Sequence, residues 1–229
     1  MPLSWMFPKL SIRDMVESQH QLLTRVLGFS HVRAVMGISM GGMQTFQWGI
    51  SRPDFMDRLI PIVGSPRLAP YDLLLWQANL DAIEQNPAFQ GGNYRVQPPL
   101  HAVQELAELT LTTPQHYNKS LTREQVLAAR AKMAAPRFDA NDRAYQLRAM
   151  MGHDVSAASG GSMEATARAL KAKLLVIVNT HDHMVTPEPA LAFGKLANAQ
   201  SLVLSGDCGH KAPSCEEAAI GARIAGFLK

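Results

Sequence analysis

The apolar positions fall into two kinds of run. Residues 31–36, 59–63, 174–178 and 201–204 are short stretches dense in Val, Ile, Leu or Ala and bounded by turn residues, so each reads as a strand. Longer stretches carry apolar residues at helical spacing. The first opens at Ser11, an N-cap with an acid three positions on, and closes at Gly28, with Val16, Leu23, Val26 and Leu27 as its apolar face. GISMGGMQTFQWGISR reads as a tight turn followed by a helix to about Arg52. Pro61 inside the second strand requires a position where its missing N–H is tolerated.

From Tyr71 to Leu170 the pattern changes to helical runs, YDLLLWQANLDAIEQ, TREQVLAARAKM and DANDRAYQLRAMM, separated by loops with Pro and Gly. Strand character returns only at Leu174. A helix then starts at Thr186 and Pro187, and the last opens with a capping box, Ser214-Cys215-Glu216-Glu217, and buries Ile220, Ile224, Phe227 and Leu228. Short apolar strands joined through helices predict an α/β fold, a mostly parallel sheet covered on both faces. Residues 1–66 and 171–229 form the core in this reading, and 67–170 an inserted helical cap.

Composition narrows the function classes. The chain has 229 residues, 47% hydrophobic and 18% charged, enough for one sizeable core. Its net charge of +3 is scattered, with no basic run to track phosphates, so nucleic acid is a poor partner. No apolar stretch is long enough to cross a bilayer, and the start lacks the apolar segment of a secretion signal. The expected location is cytoplasmic, with no membrane partner. Two cysteines, Cys208 and Cys215, are too few for a disulfide framework and read as free thiols in a reducing compartment.

The chemistry centres on Gly37-Ile38-Ser39-Met40-Gly41, a G-x-S-x-G between a strand and a helix. In that context the motif resembles the nucleophile elbow of α/β-hydrolases. Gly37 and Gly41 allow strand and helix to approach around a strained Ser39, and the Met40 N–H points an oxyanion donor at an attacked carbonyl. A serine hydroxyl needs a base and a carboxylate to orient that base. In this fold class they follow in the order acid, then histidine, in loops after late strands. Asp182 follows the strand LLVIV, and His210 follows the strand ending at Leu204.

Other groups compete for these roles. Asp207 is an alternative acid, poorly placed three residues from His210 on one turn. His181 and His183 flank Asp182 as in a metal site, yet adjacent loop residues rarely all face one ion. Cys208, His210 and Cys215 match no trusted zinc spacing, so no metal is expected. His20, His31, His101, His116 and His153 read as surface or core histidines.

IRDMV at 12–16, GISMGGMQTFQW at 37–48, RFDAND at 137–142 and the Asp182 and Gly209-His210 loops together resemble the homoserine O-acetyltransferase family of α/β-hydrolase-fold proteins. The resemblance runs from about Ser11 to the end. It implies Ser39 as the acyl-accepting nucleophile, Asp182 as acid and His210 as base, beneath a helical cap. It also implies acetyl transfer from acetyl-CoA to the serine and then to the homoserine hydroxyl. Acyl-CoA is thus the expected co-substrate rather than a bound cofactor, and the partners are a small acyl donor and acceptor. Lys211 stands where the family usually carries an acid, and its Tyr-Arg-Ser cap segment has no counterpart between Gln97 and Arg137. Transfer to water, as in a carboxylester hydrolase, is the alternative.

A complete fold of this type has about eight strands, with a second oxyanion N–H from a loop after the third. About 30 residues precede the elbow strand here and contain no convincing strand. A fragment or misassigned start is the expectation, with a truncated non-catalytic remnant as the third functional reading. Met133, Met150 and Met151 in the cap suit packing against a second copy, as a homodimer, as well as packing against the chain's own sheet.

Overall fold

The structure is a computed structural model that describes residues 7–133 and 138–229, with Lys132 described by its backbone alone. Arg137, the first residue of the RFDAND segment, lies outside the described residues. Helix α1 (Ile12–Gln21) starts as its sequence predicts. The Ser11 N–H donates to Asp14 Oδ2 at 2.8 Å and the Asp14 N–H to Ser11 Oγ at 3.2 Å, a reciprocal cap. A wide π turn, Leu22–Val26, continues the helix to Gly28, which adopts φ 73°.

That turn overturns part of the predicted apolar face. Val16 is fully buried and Leu23 packs against the core, but Val26 is 73% exposed and Leu27 55% exposed. A π turn adds a residue per hydrogen-bonded loop, so positions beyond it rotate off the stripe that a 3.6-residue period predicts.

Four parallel strands follow in the spatial order β1 (Val32–Ile38), β2 (Met56–Ile62), β3 (Lys173–Asn179), β4 (Gln200–Leu204). Helix α2 (Met40–Ser51) connects β1 to β2, and α9 (Glu188–Leu196) connects β3 to β4. Between β2 and β3 lie α3 (Pro70–Glu84), α4 (His101–Leu111), α5 (Pro114–Ser120), α6 (Arg123–Lys132), α7 (Ala140–Met151) and α8 (Met163–Ala169). The chain closes with a short α10 (Ala212–Cys215) and α11 (Glu217–Leu228).

β3 shows why its sequence is almost uniformly apolar. Leu174, Val176 and Val178 pack with Phe46 and Trp48 of α2 and Phe193 of α9, whereas Leu175 and Ile177 pack with Ile220 and Phe227 of α11. A strand buried on both faces has no polar side to alternate with. Pro61 is accommodated in β2: its ladder to β3 is made at Arg58, Leu59 and Ile62, and resumes where the Val63 N–H donates to Ile177 O. β1 forms one edge of the sheet, with Met36 and Ile38 exposed.

A third cluster joins Trp76, Leu80 and Ile83 of α3 to Ala144, Leu147 and Met150 of α7. Met150 is buried inside it and Met151 packs against it, so both methionines serve the chain's own core.

Two further expectations are corrected here. Cys208 and Cys215 form a disulfide, and neither is a free thiol, so the thiol argument for a reducing compartment falls away. Ser214 does not cap the last helix, because it lies inside α10, and the Glu216 side chain is engaged by Asn179 instead. No helix among the described residues is long and apolar enough to cross a membrane.

Candidate active site

Ser39 stands between the last residue of β1 and the first of α2, at φ 57° and ψ −119°. This backbone is strained for a residue with a Cβ, and its surroundings enforce it. The Ser39 N–H donates to Ile62 O at 2.9 Å, and Ser39 O accepts from the Met43 N–H at 3.1 Å. A Cβ on Gly37 would lie 2.2 Å from Gly41 O, so only glycine fits before the turn. At Gly41 a Cβ would meet nothing within 4 Å: there the close approach is made by the backbone oxygen, and the expected need for a bare side chain does not hold. A second close approach lies behind the turn, where a Cβ on Gly64 would lie 2.7 Å from Gly42 Cα. Met40 opens α2, whose first N–H groups have no partner within the helix.

Asp182 is 2% exposed on the loop after β3. Its Oδ1 accepts the N–H groups of Met184 and Val185, each at 2.9 Å, and its Oδ2 lies 2.7 Å from His210 Nδ1. A carboxylate only accepts, so Nδ1 carries the proton and Nε2 is left as acceptor. Nε2 lies 2.8 Å from Ser39 Oγ, joining residues 171 positions apart. His210 is 8% exposed. The structure therefore brings Ser39, His210 and Asp182 into one hydrogen-bonded chain.

The competing groups lie elsewhere. Asp207 turns away from His210 toward α5: it bonds His116 Nδ1 at 3.1 Å and pairs with Lys119, and these hold its carboxyl below the usual range, Lys119 foremost. His181 and His183 are exposed beside Asp182, and the three are not assembled as metal donors. Among the described residues, the side chains that come together as potential metal donors are His116, Asp207 and Cys208, but the Cys208 sulfur is committed to its disulfide.

Two supports escaped sequence reasoning. Asn179, fully buried at the end of β3, donates to Gly206 O at 3.0 Å and to Glu216 at 3.3 Å, while its Oδ1 accepts from the His181 N–H at 2.8 Å. It ties the Asp182 loop to the His210 turn, and an amide ending an apolar strand was its only local signal. Asp72, also fully buried, accepts from the Thr186 N–H and hydroxyl at 3.1 Å each, and so fixes α3 to the far side of the Asp182 loop. Burial pushes its carboxyl up, and Asp182 adds to the shift.

A parallel sheet, a strained strand–turn–helix serine and a buried His–Asp pair in later loops define the class, and the chain belongs to the α/β-hydrolase fold family, whose pattern matches residues 4–214. Within that family it is related to the homoserine O-acetyltransferases. It is 30% identical over 238 residues to the homoserine O-acetyltransferase of Nostoc punctiforme, covering 96% of this chain and 67% of that protein. It is 31% identical over 202 residues to the ethyl acetate hydrolase of Pseudomonas veronii, covering 83% of this chain and 58% of that protein. The solved acetylester hydrolase of Corynebacterium glutamicum superposes with a TM-score of 0.84 at 26% identity, covering 91% of this chain and 63% of that one. Across the curated relatives the chain spans as little as 42% of the relative's length.

Proposed function

We propose that this chain is a serine-nucleophile acyl-transfer enzyme, with Ser39 as nucleophile, His210 as base and Asp182 as the carboxylate that holds the imidazole. One observation carries the reading: His210 bridges Ser39 Oγ and Asp182 Oδ2 at 2.8 and 2.7 Å, in a buried setting. His210 Nε2 takes the Ser39 hydroxyl proton as Oγ attacks the acyl carbonyl. The Met40 N–H, at the positive end of α2, stabilises the oxyanion. Collapse expels the donor's leaving group, which His210 protonates, and leaves an acyl-serine. His210 then deprotonates an acceptor hydroxyl, whose oxygen takes the acyl group and restores Ser39. The helices between β2 and β3 act as a cap over this site.

Resemblance to homoserine O-acetyltransferases supports acetyl-CoA as the small-molecule donor and an alcohol such as homoserine as acceptor. The likeness to an ethyl acetate hydrolase and an acetylester hydrolase supports the second reading, in which water is the acceptor. Both readings use the same three residues; they differ in whether the cap excludes water from the acyl-serine. Acetyl-CoA consumption that depends on homoserine supports the transferase, and hydrolysis of a simple aryl acetate without an acceptor supports the esterase. A folded protein that gains no fluorophosphonate adduct on Ser39 defeats both and favours a non-catalytic remnant.

A further inference from the structure

His210 lies inside a covalent ring. The disulfide between Cys208 and Cys215 encloses Gly209, His210, Lys211 and most of α10. Its two sulfurs sit in different settings. Cys208 is buried, with Sγ 3.6 Å from His116 Nδ1. Cys215 is exposed. His116 is itself held by Asp207, whose carboxylate also pairs with Lys119.

This asymmetry gives thiol–disulfide exchange a direction. An attacking thiolate takes the sulfur it can reach, and the better leaving sulfur is the one whose thiolate a neighbouring imidazole stabilises. The reachable sulfur belongs to Cys215, and Cys208 Sγ stands within 4.8 Å of both the His116 ring and the Asp207 carboxylate, whose charge Lys119 pairs. We propose that Cys208–Cys215 is an exchange site for a small dithiol, opened by attack at Cys215 with Cys208 leaving beside His116, and that opening it releases the turn holding His210 against Ser39. The effect on Ser39 rests on the acyl-transfer reading above.

The exchange balances without another reactant. The first dithiol sulfur bonds to Cys215 Sγ as the protein disulfide breaks, and the electron pair goes to Cys208. The second dithiol sulfur then displaces Cys215. The dithiol is oxidised to a disulfide, and its two protons end on the two cysteines of the reduced protein.

The disulfide closes this turn covalently, alongside backbone bonds from the Ala212 N–H to Gly209 O and from the Glu216 N–H to Ala212 O. Gly209 holds a left-handed φ of 58°, and the Lys211 N–H donates to Cys208 O at 3.1 Å. The covalent link fastens that turn to the residue preceding Glu216, which Asn179 anchors. A misplacement of about 1 Å in a reacting group costs on the order of 10²-fold in rate.

The test compares oxidised protein with protein fully reduced by dithiothreitol, its thiols counted by intact mass after alkylation. Fluorophosphonate labelling of Ser39 is expected to slow by roughly tenfold or more on reduction and to recover on reoxidation. The Cys208→Ser/Cys215→Ser variant is expected to label slowly with or without reductant. Brief exposure of the oxidised wild type to glutathione is expected to leave the adduct on Cys215, and His116→Gln is expected to slow reduction by about threefold or more. Equal labelling in the two redox states, or the glutathione on Cys208, overturns the proposal. If the oxidised protein does not label at all, the acyl-transfer reading fails, and with it the effect on Ser39. The exchange site is then decided by the adduct: Cys215 supports it and Cys208 overturns it.

Discussion

Asn179 donates to the Gly206 carbonyl at 3.0 Å, and through that bond the loop carrying Asp182 is fixed to the turn carrying His210. The same side chain accepts from the His181 N–H and donates to Glu216, so it satisfies backbone on one side and a carboxylate on the other. The separation of His210 and Asp182 therefore depends on Asn179, whose side chain bonds neither of theirs and whose carbonyl accepts the Asp182 N–H at 3.2 Å.

Asn179→Ala is expected to destabilise the fold by about 2–4 kcal/mol, because it leaves buried partners without their bonds. Acyl transfer should fall with it under conditions where the protein is still folded. Asn179→Asp has nearly the same shape but sets a carboxylate against Glu216 and the Gly206 carbonyl, so it should be no better than Ala. Urea unfolding alongside kcat on an aryl acetate checks both.

Asp207 neighbours His210 in sequence and Asp182 neighbours it in space, and their substitutions separate the two. Asp182→Asn is expected to lower kcat by about 10⁴-fold, by disfavouring the tautomer that accepts from Ser39. Asp207→Asn, whose partners are His116 and Lys119, should retain activity within about tenfold, since it orients no reacting group. A comparable loss in both variants would contradict the assignment of the acid.

The two elbow glycines should differ in tolerance. Gly37→Ala drives a Cβ into Gly41 O at 2.2 Å and is expected to cost more than about 3 kcal/mol, or to prevent folding. Gly41→Ala meets nothing within 4 Å and gains helix propensity, so its thermal midpoint should stay at or slightly above that of the wild type. Thermal melts of the two variants decide this.

Ser39 stores strain as well as chemistry. Replacement by Ala should abolish acyl transfer, by about 10⁴-fold or more, while retaining the fold. Ser39→Gly should be equally inactive yet more stable than Ser39→Ala by about 1 kcal/mol, because φ 57° is relaxed only for glycine. Calorimetry on the two inactive variants measures the difference.

His153 sets part of the acid sensitivity. Burial pushes its pKa from the ordinary histidine value of 6.5 down to about 4, and its Nε2 has no hydrogen-bond partner among the described residues. The folded state thus binds fewer protons than the unfolded chain below the ordinary histidine range. Stability is fully present above pH 6.5 and is lost as pH falls toward 4, by up to about 3 kcal/mol. His153→Gln should flatten that part of the stability profile, as read by urea midpoints between pH 7 and 4.

The elements that rest on near neighbours were legible in the amino-acid order. The glycines around Ser39 mark a strand–turn–helix, the two-faced apolar run of β3 marks a buried parallel strand, and Ser11 with Asp14 marks a helix start. Serine, aspartate and histidine in order, each after a strand, were enough to name the three residues that meet. Such signals survive because their physics is local: backbone sterics, capping and burial act within a few residues.

Only the tertiary structure decided what each polar group faces. Asp207 lies three positions from His210 but is taken by α5, whereas Asp182, 28 positions away, reaches it. The two cysteines are bonded, Glu216 serves Asn179 rather than a helix cap, and a π turn carries Val26 and Leu27 out to solvent. A hydrogen bond or disulfide depends on distances set by how β3, β4 and the inserted helices pack, and chain spacing does not encode those distances.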